Sequence, residues 1–538
     1  MRLLPLLLLA ACHKDADVKP DTGTGDTSDT QVEDPCRNDT DWEPRFDALA
    51  QAVEADLAGS IAAGVSVAVM QDGAIVFAHA FGSGHPEQEV AISPCTLFQI
   101  GSDTKKQTAV ALLRVVEQGL VSLDDPLSTA LPGLEFHNDP SWNDQILVRH
   151  LLSHQSGMYD FALWEPGEDD DLLAGFTYGY FAQNWFLMNP PGVFWNYSNP
   201  NFSLAGLIAE EHDTRAYPDL MVEDIYRPLG MDRTFLRKED VLADGDYAVG
   251  YGIDPVTYGM GTREMEGVVD NAWTRPAGLA WSTPSQHLLF AEWLMDGDEG
   301  VLSDELRGEL VAEQINTLYQ FDESYYGFGM MVNRGFQVGN GYYQVPVWSH
   351  GGNTLAFSSE LFILPEQRFA IAITSSGYGT DFANSVATAA TTLVEGLPTP
   401  VAPPEYTVET ERFAYHVGDY YDAWNVGDVI IGQSGDHLTV EMPLLEQYGY
   451  TYDQDLVALS SDIHYVRIDG DWYDLTFVQA AEGAPSQYIR NRIYVATRVP
   501  EDVPPPAGRH IPTRGDVSRW LAASKVLPPL PLRMARPR

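Results

Sequence analysis

Phe46, Leu49, Val53 and Leu57 recur at helical spacing and predict an amphipathic helix near the start of the folded chain. The period then changes. Residues 64–70 and 74–81 are apolar, strand-like runs separated by Gln71-Asp72-Gly73, a tight-turn sequence, and they predict a hairpin. Residues 109–117 have the apolar spacing of a buried helix, and further helices are predicted over residues 202–210 and from about 284 to 295. Strand-like runs return at residues 344–349, 357–364 and 369–375, and a helix from about 382 to 395 closes the series. A helix, two strands, a largely helical middle, three strands and a closing helix predict an α/β (α+β) domain over residues 41–397. Its antiparallel sheet is flanked by helices and joined to a helical subdomain.

The Pro-rich run 398–405 reads as a stiff linker. Beyond it, short β-prone segments at residues 428–431, 437–442, 456–459, 473–478 and 493–497 predict a small all-β barrel or sandwich over 406–500. Residues 501–538 form a Pro-rich basic tail with one short helix expected near 517–527. That tail is expected to dock on the acidic body or to contact an anionic surface.

The composition changes little in this picture. The 538 residues suffice for two or three domains, and 44% hydrophobic content is globular. Seventy-seven Asp and Glu against 31 Lys and Arg leave a formal charge of -46, which repels phosphate backbones and argues against nucleic acid as a partner. The N-terminus adds more. One arginine, a short apolar run, small residues and Cys12 resemble a bacterial lipoprotein signal, with residues 1–11 removed and Cys12 lipidated. Residues 12–40, rich in Asp, Thr and Gly, then read as a disordered tether. The expected location is exported and membrane-anchored through Cys12, on the periplasmic face of the outer membrane or at the cell surface. With Cys12 lipidated, Cys36 and Cys95 remain, either as a disulfide or as two buried thiols.

The candidate chemistry lies in three short motifs. Ser102-x-x-Lys105 places a lysine one helical turn from a serine, where a partly desolvated amine can take the hydroxyl proton. Alone, such a pair reads equally as a helix N-cap with a solvated neighbour. Tyr197-Ser198-Asn199 and His350-Gly351-Gly352 follow in order. His150 and His154, four apart on an expected short helix, lack a third ligand and are assigned a structural role; no metal and no cofactor are expected.

Together the three motifs resemble the serine β-lactamase and D-alanyl-D-alanine peptidase superfamily, on the side of class C enzymes and their esterase relatives. The resemblance implies a β-lactamase/transpeptidase-like fold with a lipocalin-like C-terminal domain. It implies Ser102 as the nucleophile, Lys105 and Tyr197 as proton carriers, and Asn199 as orienting substrate or Lys105. It implies a substrate-facing strand His350-Gly351-Gly352-Asn353, with the Ser102 and Asn353 N–H groups as the oxyanion hole. One departure matters: His350 stands where lactamases and transpeptidases usually carry the lysine of Lys-Thr-Gly, and a neutral imidazole binds a substrate carboxylate less well. The expected substrates are therefore small esters, D-amino-acid peptides or amides, with β-lactams weaker. Trp195, Trp281 and Trp348 are expected to line the cleft. The competing expectation is a non-catalytic cell-wall-binding or β-lactam-sensing lipoprotein that retains the fold.

Overall fold

The computed structural model of the chain describes residues 36–38, 41–257, 259–318, 324–491, 494–500 and 510–523. The expected signal peptide, Cys12 and nearly all of the tether lie outside these residues.

Helix α1 (Asp47–Ala58) leads into the hairpin β1 (Gly64–Gln71) and β2 (Ala74–Gly82). A single-turn 3-10 helix, Gly101–Thr104, runs into α2 (Lys105–Glu117), so Ser102 sits in the 3-10 turn and Lys105 opens the α-helix. Helices α3 (Pro200–Asp213) and α4 (Pro284–Asp296) follow, each opening on a proline, which suits a first turn whose N–H has no helical partner. Strands β3 (Ile315–Asn316), β4 (Ser324–Tyr326), β5 (Met331–Asn333), β6 (Val347–Asn353), β7 (Ser358–Leu364) and β8 (Phe369–Ser375) complete the first sheet, and α5 (Ala383–Leu393) returns across it.

The sheet order is β2-β1-β8-β7-β6-β5-β4-β3, antiparallel throughout. Its central strands are apolar on both faces because both faces are covered. Val65, Val67, Val69, Ile371 and Ile373 pack toward α1 and α5, whereas Ala68, Met70, Leu361, Ile363 and Ala372 pack toward the core that holds α2. Ten of the thirteen α2 residues are buried; the six apolar ones, Ala109 to Leu113 and Val115, lie in that core, while the first turn buries Lys105, Lys106, Gln107 and Thr108. The expected fold class holds, with one shift in register. The expected strand over 344–349 is Val347–Asn353, so His350, Gly351 and Gly352 lie within a strand and not beyond its end.

The second sheet is all-β: β9 (Gly418–Asp422), β10 (Gly427–Ser434), β11 (His437–Glu441), β12 (Val457–Ala458), β13 (Ile463–Ile468), β14 (Asp471–Gln479), β15 (Ser486–Arg490) and β16 (Val495–Arg498), in the order β11-β10-β9-β16-β15-β14-β13-β12. Val440 donates to the Gln454 carbonyl and Leu456 to that of Leu438, so the sheet closes on itself just ahead of β12. Its interior, including Tyr420, Val440, Leu475 and Phe477, is capped by Val517, Trp520 and Leu521 of α6 (Arg514–Ala523). Of the two expectations for the tail, its described helix follows docking on the body, and it does so through apolar side chains, with the Arg514 guanidinium 5.9 Å from the Tyr450 ring centroid. A disulfide joins Cys36 to Cys95.

Candidate active site

Ser102 is brought to a cleft by backbone conformation. Gly101 has φ of +56°, a region an L residue enters only with strain, and it lies so close to β6 that a Cβ there would stand 2.5 Å from Asn353 N and 2.8 Å from Gly352 C. Gly352 is equally constrained, since its own Cβ would overlap the Ile100 carbonyl oxygen. These two glycines let the Ser102 turn rest directly on the strand. Ser359 of β7 fastens it by donating to the Ile100 carbonyl at 2.7 Å.

Around the Ser102 hydroxyl the expected groups converge. Lys105 Nζ lies 2.9 Å from Ser102 Oγ and Tyr197 Oη 2.8 Å from it. Lys105 is fully buried, and its Nζ also donates to Asn199 Oδ1 at 2.7 Å and to the Ala277 carbonyl at 2.6 Å. It stands 4.9 Å from the Tyr197 ring centroid. Asn199 therefore orients Lys105. It is itself held by a residue the sequence reading missed: Asp160 Oδ1 accepts from Asn199 N at 2.7 Å and from Nδ2 at 2.9 Å.

Behind Tyr197 lies an aromatic stack. The His154 ring is 4.2 Å from that of Tyr197 and 5.0 Å from that of Tyr326, and His154 Nδ1 accepts from Ser198 N. His154 does not share a helix with His150. The helix Val148–Leu152 stops short of it, and His154 has φ of +56°. His150 instead turns back to accept from Leu147 N. Both are structural, as expected, but the shared helix face is not there.

His350 is buried on β6, with Nδ1 2.6 Å from the Gly351 carbonyl and Nε2 3.1 Å from Tyr326 Oη. Donation from Nδ1 to the carbonyl leaves Nε2 to accept from the tyrosine. Burial pushes its pKa down to about 3, so it is neutral at pH 7. Gly351 and Asn353 lie on the opposite face of the strand. The Asn353 side chain accepts from Ser358 Oγ and Gly379 N.

The tryptophans differ from expectation. Trp195 is buried beneath Tyr197 and Tyr326, Trp281 packs with Phe98 and Phe357, and Trp348 packs against the core of α2. Trp164, half-buried, instead lines a small cavity with Gln99, Ile253, Arg263, Thr354, Leu355 and Phe357. Among the described residues no group of three or more His, Cys, Asp and Glu side chains could hold a metal ion.

A protein-family model described as Beta-lactamase matches residues 49–395. Protein flp of Staphylococcus aureus is 25% identical over 239 residues, 44% of this chain and 45% of that protein; the chain thus spans about half the length of the curated relatives it first matches. Among solved structures, the octameric penicillin-binding protein homologue from Pyrococcus abyssi aligns with a TM-score of 0.55 at 21% identity, covering 84% of this chain and 99% of that one. The D-amino acid amidase from Ochrobactrum anthropi SV3 aligns with a TM-score of 0.54 at 22% identity over 65% of this chain and 99% of that one.

Proposed function

Because the chain belongs to the β-lactamase family, we propose that it is an exported serine hydrolase that forms an acyl-enzyme on Ser102 and cleaves carboxylic esters or D-amino-acid amides and peptides. One observation carries this reading. A single hydroxyl, Ser102 Oγ, lies within 3 Å of both a buried lysine amine and a tyrosine hydroxyl. A neutral Lys105 has two protons, and Asn199 Oδ1 and the Ala277 carbonyl accept them, which leaves its lone pair for the Ser102 proton. As Oγ bonds to the substrate carbonyl carbon, its proton passes to the lone pair of Lys105, which returns it to Tyr197 once that hydroxyl has given up its own. Negative charge on the carbonyl oxygen is met by the N–H groups of Ser102 and Asn353. When the intermediate collapses, Tyr197 gives a proton to the departing alkoxide or amine. Water then repeats the sequence and frees the acid.

A neutral His350 in place of a fixed cation supports substrates without a carboxylate at that position, hence esters and amides before β-lactams. The apolar side chains of Trp164, Ile253, Leu355 and Phe357, which line a small cavity together with Gln99 and Arg263, support an apolar acyl or aromatic group. The D-amino acid amidase among the similar folds agrees with an amide substrate. Membrane attachment through Cys12 completes the proposal.

The test is intact-mass analysis of the protein after a fluorophosphonate and, separately, a penicillin, alongside p-nitrophenyl ester turnover. Labelling and turnover that are both lost in Ser102→Ala are expected. A stable penicillin adduct without ester turnover would replace the hydrolase with a sensor.

A further inference from the structure

Directly behind the nucleophile lies a second charged pair. Asp103 follows Ser102, and Lys106 follows Lys105; their side chains turn away from the cleft and meet as an ion pair in which both are fully buried. The pair is held from two other elements, β7 and α4. Ser359 Oγ of β7 lies 3.3 Å from Asp103 Oδ2, His287 Nδ1 of α4 lies 3.3 Å from the same oxygen, and the Lys106 ammonium stands 5.9 Å from the Phe290 ring centroid. Burial works against both charges. For Lys106 burial wins, and its titration lies below the usual lysine range although Asp103 opposes this; for Asp103 the Lys106 ammonium, with His287 behind it, wins and holds the carboxyl well below the usual carboxylate range. A buried pair of this kind is seldom a net gain over apolar residues of the same size, so stability alone does not account for it.

We propose that Asp103 and Lys106 are positioning residues whose opposed charges, on either side of Lys105 in the chain, must stay balanced so that neither alone displaces the protonation of Lys105. The proposal rests on reading Ser102 as the nucleophile. Lys105 must present a lone pair near neutral pH, and a lone ammonium or carboxylate buried next to it would move its titration far in one direction. The other groups facing this centre are few. Tyr197 and, through Asn199, Asp160 face it from the helical side, with His154 behind Tyr197. On the sheet side His350 and His287 are kept neutral by burial, and burial pushes the Glu360 carboxyl up to about 8. Of these groups, only Asp103 and Lys106 are chain neighbours of Lys105 whose charges cancel, so each can be removed against the other.

The experiment is the pH dependence of the fluorophosphonate labelling rate of Ser102, which needs no knowledge of the natural substrate. Lys106→Gln leaves the Asp103 carboxylate unopposed, favours the Lys105 ammonium and moves the acid limb to higher pH. Asp103→Asn leaves the Lys106 ammonium unopposed and moves it to lower pH. At an effective dielectric constant of about 20, an unopposed unit charge within several ångström of an amine corresponds to a shift of about one to two pH units. The double variant, and Lys106→Arg, return to the wild-type midpoint. Each substitution keeps a hydrogen-bonding group in the pair, and a melting transition confirms that each variant is folded; if one single variant does not fold, the sign of the other decides. A scaffold role alone lowers the rate in every variant at an unmoved midpoint. That result, or two shifts of the same sign, overturns the proposal. Absence of labelling in the wild-type protein at every pH would instead overturn the assignment of Ser102.

Discussion

Gly101→Ala is the substitution that most directly tests how the Ser102 turn meets β6. An alanine at φ of +56° costs about 1–2 kcal/mol of backbone strain. The larger effect is steric. A Cβ 2.5 Å from Asn353 N and 2.8 Å from Gly352 C has backbone, not a flexible side chain, in its way. To reach ordinary contact, turn and strand must part by roughly 1 Å. The two proposed oxyanion donors, Ser102 N and Asn353 N, lie on either side of that gap. Such donors act at about 2.7–3.1 Å from the oxyanion, and losing one costs roughly 10²–10³ in kcat. Gly119 supplies the control: its φ is +71° and nothing lies within 4 Å of its would-be Cβ. Both alanine variants are expected to melt a few degrees lower, but only Gly101→Ala loses kcat toward p-nitrophenyl esters, by about 10²-fold or more. If Gly101→Ala keeps kcat within a few-fold of Gly119→Ala, the turn and the strand do not form the oxyanion hole together.

Tyr197→Phe removes the hydroxyl 2.8 Å from Ser102 Oγ and keeps the ring against His154; it is expected to lower kcat by about 10²–10⁴-fold at a nearly unchanged melting temperature. Reducing the Cys36–Cys95 disulfide frees a loop with a separation of 59 residues and is expected to cost about 4 kcal/mol, read from denaturant unfolding with and without reductant. The Glu360 carboxyl, raised to about 8 by burial, binds a proton in the folded chain over a range where the unfolded chain has released it. Stability is therefore expected to fall as pH rises from about 5 through 8, by an amount on the order of a few kcal/mol, and Glu360→Gln removes that slope. A variant that keeps the wild-type slope in urea melts across this range would refute the assignment.

Which parts of this molecule were legible in its sequence follows from how local each signal is. Ser102-x-x-Lys105, Tyr197-Ser198-Asn199 and His350-Gly351-Gly352 carry their chemistry within a few residues, and the structure brings Ser102, Lys105, Tyr197 and Asn199 to one point. Strands buried on both faces, such as β1 and β8, announce themselves as unbroken Val, Ile and Ala runs. Strands β9, β13 and β15 went unread because tyrosine, aspartate, arginine and histidine interrupt their apolar pattern. Asp160 gave no signal because its role depends on Asn199, 39 residues away. The Asp103–Lys106 pair gave no signal in the sequence, because charged residues at the start of a helix are ordinarily solvated. Only the packing of β7 and α4 over that face removes the solvent. The tryptophans misled for the same reason: aromatic residues close in sequence to a motif are as well suited to wedge its backbone in place as to face a ligand.

That wedging links the two sheets. Tyr197 ends a segment whose preceding residues are clasped by the C-terminal barrel. Phe186 stacks on Trp424 at 3.5 Å, Phe194 meets Tyr488 at 5.3 Å, and the Arg490 guanidinium lies 5.7 Å from the Trp195 ring centroid. On the other flank, Thr476 donates to the Leu318 carbonyl, beyond the strand β3 that ends the first sheet. Tyr159, next to Asp160, lies 6.5 Å from Trp424 and donates to Asn425. The barrel thus touches both segments that fix Tyr197 and Asn199, at their far side from Ser102. A hydroxyl that must stay within hydrogen-bond reach of Ser102 through acylation and deacylation cannot be carried by a free loop. Here the loop that carries it is packed against the barrel's aromatic face, so the position of the proposed proton carrier is set by residues some 230 to 290 positions further along the chain.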